Sequence, residues 1–125
     1  MQFDSVNKAR GIKRLFLACK NSGRAFYWLA TNEVAFKQEV VLLVLSLFVV
    51  GVWNIGIYEK LLLVSSVVFI LFAEIINTAI EAVIDRISLD LHPLSGLAKD
   101  LGSAAVFVAI LLCVIVWLTV LLNNL

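Results

Sequence analysis

Histidine, proline and methionine each occur once in this chain and cysteine twice, and charged residues make up only 15% of its 125 positions. Cys19 and Cys113 stand far apart with no CxxC spacing, and a lone histidine adds no second soft ligand. A disulfide framework, a thiolate metal site and a zinc centre are therefore excluded, and both cysteines read as small apolar fillers. Also missing are a Walker A sequence, a glycine-rich kinase loop and a GxSxG elbow, so any nucleotide chemistry must use another arrangement. No nucleic-acid partner is expected. What fills the chain instead is apolar: hydrophobic residues reach 62% and the mean hydropathy is +1.04, well above a soluble domain. The chain belongs in a lipid bilayer.

A single domain over residues 1–125 is expected, all α-helical, with three transmembrane helices and an N-terminal amphipathic surface helix. The surface helix is placed at about residues 5–28, because Ile12, Leu15, Phe16, Cys19, Gly23 and Phe26 form one helical stripe with basic residues opposite. The first span, about 33–53, follows the polar stretch Asn32 to Glu39 and contains a charge-free run of 19 residues from Val40 to Tyr58. The second span, about 58–88, begins as 13 apolar residues, Leu61 to Ala73, and continues its helical pattern past Glu74 to about Ile87. His92-Pro93 and Ser95-Gly96 read as a loop, with Ser95 as the N-cap of a third span at about 95–122. Lysine and arginine are concentrated before the first span and absent from the C-terminal tail, which predicts a cytoplasmic N-terminus and an external C-terminus.

The pattern that needs chemistry lies late in the second span. At about 100° per residue, Asn77, Glu81 and Asp85 fall within roughly 60° of Glu74, with Thr78 about 40° to the other side. Isoleucines cover much of the remaining circumference. Ionisable groups in a span are costly and are turned toward protein or a watery cavity, where they do work. The bland alternative is a solvated helix end tied by salt bridges among Asp85, Arg86 and Lys99. Against it stands Glu74, roughly 16 Å along the axis from Asp85. A carboxylate set among apolar side chains suits a general base, while Glu81 with Glu33 would make a hard oxygen site for Mg2+ completed by water or phosphate. Lys99 is placed to neutralise phosphate charge. Small residues Ala98, Gly102, Ala105 and Ala109 recur at helical spacing and would allow close helix contacts, so oligomerisation with shared sites is expected.

Three motifs then resemble one family. Asn32-Glu-Val-Ala-Phe-Lys-Gln-Glu39, Glu74-Ile-Ile-Asn-Thr-Ala-Ile-Glu-Ala-Val-Ile-Asp-Arg86 and His92-Pro-Leu-Ser-Gly-Leu-Ala-Lys-Asp-Leu-Gly-Ser-Ala-Ala105 are similar to the small integral-membrane diacylglycerol kinases of bacteria, over about residues 32–122. The resemblance implies a homotrimer in the bacterial inner membrane that moves the γ-phosphate of ATP, with Mg2+ as cofactor, to the primary hydroxyl of diacylglycerol and makes phosphatidate. By motif position it implies Glu74 as catalytic base with Asn77 beside it, and Glu33 and Glu81 as metal ligands that also meet ATP. Asp90, His92, Lys99 and Asp100 are matched to further nucleotide contacts, as more loosely are Arg14 and Asn21. Gln38 and Ser103 join Glu74 as lipid contacts, and Asp85 plays a supporting role. Lys37 stands where arginine is common and lacks its planar fork. Two other readings stay open from the residues: an undecaprenol kinase of the same family, and a non-enzymatic acidic ion or proton pathway.

Overall fold

The computed structural model describes residues 10–125, so the first residues of the expected surface helix lie outside the described ones. The described residues form four helices: α1 (Ile12–Asn32), α2 (Val34–Val52), α3 (Ile57–Ile87) and α4 (Pro93–Asn123). They divide into two compact units, one ending at Val34 and one running from Ala35 to Leu125. α1 starts after Gly11, whose φ of 70° is one an L side chain adopts with strain, and whose carbonyl accepts from the Arg14 and Leu15 amides. It runs four residues beyond the expected end at 28. Only Glu33, extended at φ −108° and ψ 112°, separates it from α2.

In the second unit, α2, α3 and α4 are each long and apolar enough to cross a membrane, making this a membrane protein with three candidate spans. α3 and α4 have 31 residues each, about 45 Å of helix against roughly 30 Å of hydrocarbon. The two pack antiparallel. In a bilayer, burial of apolar area drives helices together only weakly, so close packing by small side chains must do it. Ala73 on α3 and Ala109 and Cys113 on α4 serve that purpose, meeting Val67 and Ile70 in one buried cluster. Leu63, Val50 and Val120 form a second cluster toward the other end. The Ser66 hydroxyl satisfies itself within α3, donating to the Leu63 carbonyl at 2.7 Å, and its oxygen lies 3.4 Å from Cys113 Sγ.

Polar ties fasten both ends of the α3–α4 pair. At the α3 N-terminus Glu59 accepts from the side-chain amides of Asn123 (3.4 Å) and Asn124 (2.7 Å). At the other end Lys99 Nζ donates to Asp85 at 3.1 Å. Of the small-residue stripe on α4, Gly102 and Ala109 are buried against α3 of the same chain, while Ala98 is half-buried and Ala105 exposed. The close helix contacts expected of the stripe are made at those two positions within the chain, where the α3 and α4 backbones need the room.

The start of α4 is a second correction. Ser95 is not the N-cap. Pro93 occupies the first helical position and His92 caps the helix, its Nδ1 accepting from the Leu94 amide at 3.1 Å. Proline pushes the preceding residue into the extended region, which is the backbone an N-cap requires, and its fixed φ suits the first helical position.

Candidate active site

The carboxylate stripe of α3 is graded in burial. Glu74 and Asn77 are buried, each 7% exposed; Thr78 is buried beside them; Glu81 is half-buried and Asp85 exposed. The helix period explains the order, since the residues that share a side with Glu74 include Ile70 and Val67 of the core. Burial therefore falls off along one stripe as α3 leaves the packed region.

Asn77 is pinned from two directions. Its Nδ2 donates to Glu81 Oε1 at a long 3.5 Å. Its Oδ1 is buried without a hydrogen-bond partner and faces Gly102, where a Cβ would overlap that oxygen and stand 3.3 Å from Asn77 Cγ. Gly102 is thus a glycine because the amide of Asn77 fills the space a side chain would need.

Glu74 also lines an apolar cleft of about 660 Å³ bounded by α2, α3 and α4. Ala35, Glu39, Leu42, Ser46 and Val49 supply its α2 wall, with Gln38 at the same end as Glu74. Two carboxylates, Glu39 and Glu74, come within electrostatic range of each other there. Glu39 Oε2 is buried with no hydrogen-bond partner. No role was expected for Glu39, although the spacing of 35, 39, 42, 46 and 49 is one helical stripe and carried the signal.

A second concavity, about 380 Å³, lies where α3 ends and α4 begins. Asp85, Asp90, His92 and Lys99 all line it, so three of the expected nucleotide contacts and the supporting aspartate converge. The Lys99–Asp85 pair is roughly half exposed on both sides (46% and 51%), which limits it to about 1 kcal/mol and leaves the ammonium open to a stronger anion. Asp100 and Ser103 follow on α4, both exposed, and neither lines either cavity. Arg14, Asn21 and Glu33 belong to the first unit. There Asn21 Oδ1 accepts from Arg24 Nη2 at 2.9 Å, Arg14 is exposed and Glu33 is half-buried at the helix break.

The donor set fits a hard cation held in one particular way. Among the described residues no three Asp, Glu, His or Cys side chains converge into a cage. Glu81 offers carboxylate oxygens at the half-buried level, and magnesium binds readily through one or two carboxylates when phosphates and water supply the rest.

Comparison with known proteins meets this geometry. A family model described as prokaryotic diacylglycerol kinase matches residues 20–121. The diacylglycerol kinase of Escherichia coli K12 is 41% identical over 112 residues, spanning 90% of this chain and 92% of that protein. That of Pseudomonas aeruginosa PAO1 is 40% identical over 113 residues, again 90% and 92%. A Helicobacter pylori diacylglycerol kinase is 31% identical over 117 residues, 92% of this chain and 90% of its own. With burial graded along α3, an apolar cleft at its deep end and a second concavity at its shallow end, these matches establish that the chain belongs to the prokaryotic diacylglycerol kinase family and is a membrane-embedded lipid kinase.

Proposed function

We propose that this kinase transfers the γ-phosphate of MgATP to the primary hydroxyl of 1,2-diacylglycerol, giving phosphatidate and ADP. The observation that carries the reading is the pairing of depths on α3: Glu74 is buried at the head of the apolar cleft, and Glu81, seven residues on, is half-buried beside Asn77. A lipid hydroxyl reaching the cleft head from the bilayer meets Glu74, which takes its proton as the oxygen attacks phosphorus. Asn77 orients Glu81 through its amide. Glu81 and Glu33 supply carboxylate oxygens for magnesium, which when bound neutralises charge on the transferring phosphoryl group. Lys99 exchanges its exposed partner Asp85 for phosphate oxygens, and Asp90, His92, Asp100, Arg14 and Asn21 complete the nucleotide side. Gln38 and Ser103 flank the lipid, Gln38 from the cleft wall. Asp85 holds Lys99 in place between turnovers.

Two substrates of opposite solubility meet at the membrane surface without either leaving its solvent. α1 lies as an amphipathic helix in the cytoplasmic interface, its basic residues toward anionic headgroups, and the protein sits in the bacterial inner membrane with its C-terminus outside. Three thin helices cannot enclose such a site, so the active form is a homotrimer with sites shared between subunits. The test is phosphotransfer from labelled ATP in mixed micelles that offer diacylglycerol and undecaprenol in parallel. Labelled phosphatidate is the expected product; labelled undecaprenyl phosphate alone assigns the other lipid, and no lipid product with magnesium present removes the reading.

A further inference from the structure

We infer that Thr78 is a positioning residue for the proposed base: when lipid enters the cleft, the Thr78 hydroxyl donates a hydrogen bond to the Glu74 carboxylate and holds one of its oxygens, leaving the other to meet the lipid hydroxyl. The inference rests on the reading of Glu74 given above.

The helix surface sets the neighbours. Thr78 stands four residues after Glu74 and three before Glu81, and Asn77 three after Glu74 and four before Glu81, so the four side chains form a rhombus with the carboxylates at its far corners. Residues three and four apart on a helix have Cβ atoms about 5–6 Å from one another, within reach of a glutamate and a threonine. The two middle corners differ in what they offer. Asn77 turns its Nδ2 to Glu81, while its Oδ1 faces Gly102 and can only accept. Thr78 is then the side-chain donor left for Glu74 on this face of α3.

Its hydroxyl is uncommitted. A serine or threonine within a helix commonly donates to a carbonyl of its own helix one turn back, as Ser46 does to Leu42 at 2.8 Å and Ser66 to Leu63 at 2.7 Å. Among the described residues these two and Thr78 carry the buried hydroxyls, and Thr78 Oγ1 alone has no hydrogen-bond partner. A buried hydroxyl without a partner is costly, so the position waits for an acceptor. Thr78 is 8% exposed, its oxygen is sealed from water, and it lines neither cavity. The acceptor is thus a neighbouring side chain and not a molecule in the cleft. Glu74, one turn away and itself lining the cleft, is that neighbour.

A base acts only from the right direction. With one carboxylate oxygen fixed by Thr78, the second takes the proton of the lipid hydroxyl as that oxygen bonds to phosphorus and the bond from phosphorus to ADP breaks; Thr78 keeps its own hydrogen throughout. The threonine methyl group restricts χ1 and holds the hydroxyl in place more firmly than serine would.

Thr78→Val keeps the branch and removes the donor, Thr78→Ala removes it without adding bulk, and Thr78→Ser keeps it. Initial rates in mixed micelles, with MgATP and dioctanoylglycerol varied in turn, should show kcat about tenfold lower in T78V and T78A and within about threefold of wild type in T78S, with both KM values within about twofold throughout. T78V should unfold at no lower denaturant than wild type, because the hydroxyl it loses has no partner in the free protein. Wild-type turnover in T78V and T78A, an equal loss in T78S, a change in KM in place of kcat, or earlier unfolding of T78V each overturns the proposal. Infrared difference spectra on adding dioctanoylglycerol without nucleotide read the contact directly. A shift of the Glu74 carboxyl band, identified by its absence in E74Q, is expected in wild type and T78S and not in T78V; a shift common to all three, or absent from the wild type, refutes the contact. If the wild type transfers no phosphate at all, the kinase reading falls while the spectra still decide the contact.

Discussion

Gly102→Ala tests the closest approach in the site. Within a helix this substitution is ordinarily favourable by about 0.5–1 kcal/mol, since alanine loses less backbone entropy. Here the new Cβ would overlap Asn77 Oδ1 and stand 3.3 Å from Cγ and 3.7 Å from Cα, and Asn77 is only 7% exposed, so the amide has nowhere to turn. Either the amide swings and gives up its bond to Glu81, or α3 and α4 separate by a few tenths of an ångström and loosen the cluster around Ala73 and Ala109. Overpacking of this kind costs about 1–3 kcal/mol, which leaves a net loss of about 0–2.5 kcal/mol and cancels or reverses the usual gain. Gly51, near the end of α2, has nothing within 4 Å of an added Cβ and provides the control. Stability is read from reversible denaturation in micelles, in a double-mutant cycle with Asn77→Ala. Truncating Asn77 empties the space, so G102A should cost nothing further in that background, a coupling of about 1 kcal/mol or more. Simple additivity, or a G102A protein as stable as its G51A counterpart, would refute the packing argument. Turnover should fall in G102A along with the orientation of Glu81.

Glu74→Gln keeps the volume but removes the proposed base, so turnover should fall at least about a hundredfold with MgATP affinity unchanged in equilibrium binding; wild-type turnover would remove Glu74 from the mechanism. Glu81→Gln weakens one of the proposed carboxylate ligands, and the magnesium concentration for half-maximal rate should rise about tenfold, a shift read from a metal titration at fixed ATP. Asn124→Ala deletes the shorter of the two bonds to Glu59 at the end of α3–α4 remote from the site, so unfolding should become easier by about 0.5–1.5 kcal/mol while KM and kcat hold, as parallel denaturation and rate assays would show.

Much of this molecule was legible because a bilayer simplifies the grammar. Long apolar runs translate into spans with few competing interpretations, and the 3.6-residue period placed Glu74, Asn77 and Glu81 on one side, where the structure has them. What escaped has local causes. Asn32-Glu33 looked like a polar break, yet one extended residue suffices to separate α1 from α2, so α1 runs on to Asn32. Pro93 has the look of a loop residue in sequence but stands at the first position of a helix, and the cap is the histidine before it, a residue type outside the usual capping set. Glu39 was counted with its charged neighbours Lys37 and Glu33 as a flank; only its spacing with Leu42 and Ser46 marks it as facing inward. Gly102 cannot be assigned from sequence at all, because small residues favour close contact without saying with which helix.

Helix length alone explains why the chemistry sits where it does. Roughly 30 Å of hydrocarbon takes about 20 residues at 1.5 Å each. Counted from Ile57, the start of α3, that thickness is used up near Asn77; counted back from Asn123, the end of α4, it is used up near Ser103. The two levels coincide at the contact between Asn77 and Gly102 because the antiparallel helices are equal in length and tied at both ends. Along the axis Glu74 lies about 5 Å to one side of Asn77 and Glu81 about 6 Å to the other. The hydrogen bond from Asn77 to Glu81 ties these levels together on one helix. A helix that merely crossed the membrane would end at Asn77. The ten further residues of α3, to Ile87, continue the helix without a joint, so Glu74 and Glu81, the base and metal ligand proposed above, keep a fixed spacing.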